Sequence, residues 1–199
     1  APVLDLIAQR AKADGKKPSD LRIGMAFEND GFSLDVRAGV LDVAKEHGMK
    51  IVIDDKLPAD LSDMSATLTK FKALKPDILL VSGHSKGAAT AARQIEEMKI
   101  NASAISITHC EAAKVHVKFP KSANGILCPT QWLTNLPNNE PLFGDAQRYD
   151  KEFKVAYPEY NTGIPYQTAQ ASAAVLVFKD AFERANSFDR DKVRDAISA

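Results

Sequence analysis

The sequence has little of what would betray a function at first sight. Two cysteines in 199 residues are too few for a disulfide framework, and Cys110 and Cys128 read as free, partly buried thiols, with one bridge between them as the alternative. Cysteine usage therefore fixes no compartment. Charge of one sign is not in excess: 26 basic residues stand against 26 acidic ones. No basic stripe is available to neutralise phosphates and no polybasic run to hold a membrane surface, so nucleic acid is excluded as a partner. No apolar run approaches the roughly 20 residues that span a bilayer, which excludes direct membrane insertion. The four histidines show no i, i+4 pairing and no cysteine cluster beside them, so neither a metal nor a cofactor is expected. Solenoid-period repeats and low-complexity tracts are also lacking. The chain opens Ala1-Pro2-Val3, with no signal peptide, and a segment before it is expected to have been removed.

What is present is an alternation of short apolar runs and amphipathic stretches. Leu21 to Phe27 is strand-like, and a helical pattern follows from Phe32 to His47, with Val36, Val40, Val43 and Ala44 on one face. Gly48 sits where a left-handed C-cap is wanted. Lys50 to Asp55 is the next strand. A stripe of Met64, Leu68, Phe71 and Leu74 precedes the strand Asp77 to Ser82, and a small-residue helix from Ser85 to Met98 precedes the strand Ser103 to Thr108. A weaker helix, Glu111 to Val117, leads to the strand Gly125 to Pro129. Strands alternating with helices imply right-handed crossovers and a parallel sheet, so the fold class is α/β, a doubly wound five-stranded parallel sheet ending near residue 128.

Beyond it the pattern changes. Leu136-Pro137-Asn138-Asn139-Glu140-Pro141 is turn chemistry, and helices rather than strands follow: Leu142 to Ala156, Tyr166 to Ala185, and one from the N-cap Asp189 onward. The middle helix is apolar over so broad a face that burial against another element is expected. Pro2 to Ala13 reads as a further helix at the start.

One motif points towards catalysis. Gly83-His84-Ser85-Lys86-Gly87 has the G-x-S-x-G pattern of a nucleophile elbow, between an apolar strand and a helix. A serine esterase would need an acid and then a histidine further along the chain. After Ser85 the only histidines are His109 and His116, both too early, so the hydrolase remains the alternative and no catalytic residue is assigned. Otherwise the glycines allow a tight turn, Ser85 caps the helix, and the loop is a binding surface at the carboxyl end of a strand.

Six stretches, in order, resemble a known family. Met25 to Phe32 is similar to its first strand followed by acids and an aromatic; Ser62 to Leu68 to its D-F-S-A-x-L helix start. Lys75-Pro76-Asp77 resembles its entry to the third strand, and Ser122 to Ile126 its A-E-G segment. Phe143 to Pro158, with Tyr149, Phe153 and Tyr157, and Tyr166 to Ala185 resemble its two later helices. The family is that of the type I periplasmic solute-binding proteins, the branched-chain amino-acid (Leu/Ile/Val) receptors of ABC importers. The resemblance implies that residues 1–128 are lobe two and 129–199 the hinge crossing and part of lobe one. The first part of lobe one and the C-terminal end would be missing.

The resemblance further implies an extracytoplasmic, periplasmic protein that is no enzyme, with a small-molecule ligand in a cleft and an ABC permease as partner. By position it assigns ligand binding to Phe32, His84, Ser85, Thr108, His109 and Trp132. Each also has a plainer role: Phe32 as a helix staple, His84 and Ser85 as turn and cap, Thr108 and His109 as a strand end, Trp132 as packing. The family's amino-acid receptors place an acid at the end of the fourth strand, where this chain has Thr108 or His109. Imidazole and hydroxyl groups suit a carboxylate better than an ammonium, so the expected ligand is a small organic acid, aromatic acids included, with an amino acid still open. A ligand-sensing domain of a receptor is a third alternative.

Overall fold

The computed structural model describes residues 2–111, 113–160 and 163–199. The chain divides into two compact units, residues 1–130 and 131–199. In the first unit the order is α1 (Pro2–Ala13), β1 (Arg22–Glu28), α2 (Gly31–Glu46), β2 (Lys50–Leu57), α3 (Ser65–Leu74), β3 (Ile78–Ser82), α4 (Ser85–Glu97), β4 (Ala104–Ile107), α5 (Val115–Lys118), α6 (Pro120–Ala123) and β5 (Ile126–Leu127). The five strands form one sheet in the order β2-β1-β3-β4-β5, every neighbouring pair parallel. Because all strands run the same way, their carboxyl ends lie along one edge.

Strand periodicity explains the layers. Ile23, Met25 and Phe27 of β1, with Ile78 and Leu80 of β3, face an apolar layer built from α1 and α2, including Leu4, Ile7, Val40 and Ala44. Ala26 of β1, with Leu79 and Val81 of β3, faces the opposite layer, made by Leu68 and Phe71 of α3 and Ala88, Ala91 and Ile95 of α4. A strand buried on both faces must read as a continuous apolar run, as β1 and β3 do. By the same alternation Glu28, the last residue of β1, falls on the α4 side.

The helix limits follow local chemistry. Asp30 caps α2 by accepting a hydrogen bond from Ser33 N, and Gly48 beyond its end takes φ 69°. Several expectations are corrected. The helix expected over Glu111 to Val117 is only the four-residue α5, because this stretch lacks a sustained apolar stripe; Ala112 within it lies outside the described residues. Leu74 closes the α3 stripe but is 44% exposed. The helix expected from Leu142 starts at Ala146 instead, since Gly144 (φ 75°) turns the chain and Asp145 caps by accepting from Arg148 N. Finally, Cys110 and Cys128 form a disulfide, their Cα atoms 5.8 Å apart. They are 18 residues apart in sequence, and only the parallel pairing of β4 with β5 brings them within bridging range.

The second unit holds a short antiparallel pair, β6 (Asn139–Glu140) and β7 (Gly144–Asp145), where sequence patterning shows no strands, followed by α7 (Ala146–Ala156), α8 (Tyr166–Ala185) and α9 (Arg190–Ser198). Asp189 caps α9 as expected, accepting from Asp191 N and Lys192 N. The broad apolar face of α8 is not buried: Val175, Val177 and Phe178 are exposed. No helix among the described residues is long and apolar enough to cross a membrane.

Candidate functional site

The carboxyl edge of the first unit's sheet gathers the residues of interest. Phe32 stands in the first turn of α2, just after β1. His84 ends the turn between β3 and α4. His109 follows β4. Residues 77 positions apart thus become neighbours: ring centroids are 5.1 Å apart for Phe32 and His109, 5.5 Å for His84 and His109, and 5.9 Å for Phe32 and His84. These separations are those of favourable aromatic pairs.

Two strand ends are braced against each other at this point. Thr108 Oγ1 accepts from Gly83 N at 3.0 Å and donates to Gly83 O at 2.8 Å. His109 Nδ1 lies 2.9 Å from the same carbonyl, which fixes the tautomer with the proton on Nδ1. His109 is almost wholly buried and adopts φ 57°, a left-handed conformation in which the chain turns sharply after β4. The disulfide from the next residue, Cys110, to Cys128 anchors that turn. Thr108 is therefore the brace of this edge, and His109 supplies the ring.

Glu28 and Asp30 also belong here, although sequence reasoning placed them only in the resemblance and not among the site residues. Glu28 is 1% exposed. Its Oε2 accepts from His84 N at 3.2 Å, and its Oε1 lies so close to Gly83 and Gly87 that a Cβ on either would meet it at 2.5 Å. The two glycines of the G-x-S-x-G pattern thus make room for a buried carboxyl, with no nucleophile involved. Burial, the largest influence, pushes the Glu28 carboxyl above the usual range, and its proximity to Asp30 adds to this against the backbone bond and charge of His84. Asp30 is also pushed up by burial, but bonds from Ser33 and Glu28 and the charge of His84 outweigh that and hold it below its usual range. The signal that could have revealed the pair was two carboxylates straddling a strand end, on opposite sides of Asn29.

Ser85 opens α4 as its first helical residue. His84 occupies the N-cap position without a side-chain cap bond, which corrects the expectation that Ser85 caps the helix. Among the described residues Ser85 Oγ has no hydrogen bond to a histidine, so no base stands ready to activate it. Starting at Ser85, a groove of about 500 Å³ runs along α4 towards Phe119, flanked by Lys86, Arg93 and Lys118. Lys86 is paired with Asp60 and Arg93 with Glu97. Trp132 belongs to the second unit, where its ring meets Tyr149 edge-on at 5.7 Å.

The family model described as "Periplasmic binding protein" matches residues 3–199. Leu/Ile/Val-binding protein homolog 8 of Brucella abortus (strain 2308) is 25% identical over 92 residues, 46% of this chain and 23% of the relative. The chain thus spans about a quarter of the curated relatives it matches. The solved structure of a leucine-binding protein, LivK, from Thermotoga maritima MSB8 superposes with TM-score 0.72 at 22% identity, covering 98% of this chain and 52% of that one. A fatty acid ABC transporter substrate-binding protein from Thermomonospora curvata gives 0.71 at 14% identity, covering 88% and 45%. The chain therefore belongs to the periplasmic binding protein family, among the type I proteins that include the Leu/Ile/Val-binding receptors.

Proposed function

We propose that the protein is the extracytoplasmic solute-binding component of an ABC importer, periplasmic and without catalytic activity, delivering a small organic acid to its permease. The observation that carries the ligand class is the cluster of Phe32, His84 and His109 at the N-terminal end of α4. A helix N-terminus presents unpaired N–H groups and a partial positive charge, which favours an anion. The exposed His84 imidazole adds a donor, the phenyl ring adds a flat apolar surface, and Lys118 beside the groove adds a cation. Residues 1–128 would be lobe two, closing on the ligand, and 129–199 the crossing and part of lobe one. In this reading Phe32, His84, Ser85, His109 and Trp132 touch the ligand and Thr108 sets the loop.

An amino acid is the second reading, favoured by a specific observation: Glu28 and Asp30 lie beside His84, where an ammonium group would find a negative partner. A thermal-shift screen of the protein against aromatic acids, aliphatic acids and amino acids separates the two. A ligand at 100 times its Kd that binds only the folded state stabilises by about 2.7 kcal/mol, a readily measured shift. An acid lacking an amino group should give the largest shift, and Trp132, the sole tryptophan, should report it by fluorescence. Stabilisation by leucine or valine alone would replace the first reading by the second. Turnover of an activated ester that disappears in Ser85→Ala would overturn both.

A further inference from the structure

Glu28 and Asp30 lie where β1 gives way to α2 and His84 in the turn before α4, yet one ligand atom from each lies within 4.8 Å of the others. His84 Nε2 is 4.0 Å from Glu28 Oε2 and 3.8 Å from Asp30 Oδ2. Ligand atoms around a tetrahedral ion, with bonds of about 2.1 Å, stand about 3.4 Å apart. His84 Nε2 is therefore a few tenths of an ångström too far from both carboxylates, and its ring is exposed and able to rotate towards them (57% exposed). Glu28 is walled in by Gly83 and Gly87, and Asp30 is held through Oδ1 to Ser33 N at 2.9 Å, so His84 is the ligand that adjusts.

A second observation is independent of this spacing. Asp30 Oδ2, the oxygen aimed at His84, is buried, and only the neighbouring Glu28 carboxyl lies within bonding reach of Asp30. When Glu28 is ionised that oxygen has no donor, and buried oxygens in natural structures rarely go unanswered. We propose that Glu28, Asp30 and His84 form a site for a divalent transition-metal cation of the zinc class. An imidazole nitrogen with two carboxylate oxygens suits zinc and its neighbours, whereas calcium and magnesium prefer oxygen alone. Three protein ligands leave a fourth position for water or an anionic oxygen. Among the described residues the other group of potential ligands, Cys110, Glu111 and Cys128, has its two sulfurs tied to each other.

The test is calorimetric titration of zinc into chelator-treated, non-reduced protein, with no solute present, so the outcome is independent of the solute-binding reading. One zinc ion should bind per chain, and calcium at the same concentration should give no saturable heat. His84→Ala changes an exposed side chain and keeps the backbone N–H that Glu28 accepts; it should weaken zinc at least about tenfold. Glu28→Gln should do the same if it folds, and His47→Ala, at an imidazole paired with Asp5 away from this cluster, should bind as the parent does. Absence of saturable zinc binding, full affinity in His84→Ala, or a loss in His47→Ala would each overturn the proposal.

Discussion

Arg37 and Asp54 show how one pair of side chains ties stability to pH. Arg37 Nε donates to Asp54 Oδ1 at 2.8 Å, joining α2 to β2. The guanidinium bond, the largest influence, holds the Asp54 carboxyl below its usual range despite partial burial. A folded-state pKa below the unfolded one means that the stabilisation is present above the unfolded value and is lost as pH falls through the folded one. The pair is only partly buried (24% and 35% exposed), so its contribution is about 1 kcal/mol or less. Asp54→Asn should therefore lower the denaturant midpoint slightly at pH 7, and the gap to the parent should close as pH falls through the carboxyl's lowered folded-state pKa. A gap that persists unchanged in acid would show that the pair does not act through its charge. None of this was visible in the sequence, where the two residues are 17 apart in an ordinary run of charges.

Two helices illustrate opposite meanings of the same residue. Gly39 lies within α2 with nothing within 4 Å of a would-be Cβ, so Gly39→Ala removes only backbone freedom and should stabilise by about 0.5–1 kcal/mol. Gly87 lies within α4, where a Cβ would meet Glu28 Oε1 at 2.5 Å and Leu61 Cβ at 2.9 Å. The same change there overpacks a buried carboxyl and should destabilise by about 1–3 kcal/mol in spite of the better helix propensity. Equal effects at the two positions, read from chemical denaturation, would contradict this account of the G-x-S-x-G pattern. At the element scale the sequence was most legible where apolar periodicity was long, as in β1, α2, β3 and α8. It misled where caps and turns decide, as before α7, or where no stripe exists, as in α5.

The whole molecule is unevenly cored. The first unit has apolar layers on both faces of its sheet. In the second, among the described residues, only Ala146, Tyr166, Ala181 and Val193 are buried apolar positions, while Phe178 and Phe188 are 48% and 85% exposed. Amide exchange tracks how much cooperative packing must be broken to open a segment. The amides of β1 and β3 should exchange slowest, and those of α8 faster by at least an order of magnitude. Equal protection of β3 and α8 in the monomeric protein would refute this view of the second unit.

From the sequence alone came the α/β class, the five parallel strands and the family resemblance, because each depends on patterns repeated over many residues. It also picked out Phe32, His84 and His109, though only one by one through that resemblance. Tertiary structure decided what those residues face. Parallel pairing carries the ends of β1, β3 and β4 to one edge, so residues from 28 to 109 meet in a single cluster. The disulfide, the brace from Thr108 to Gly83 and the buried Glu28 beneath two glycines all depend on distances across the sheet. Spacing along the chain carries no record of such distances.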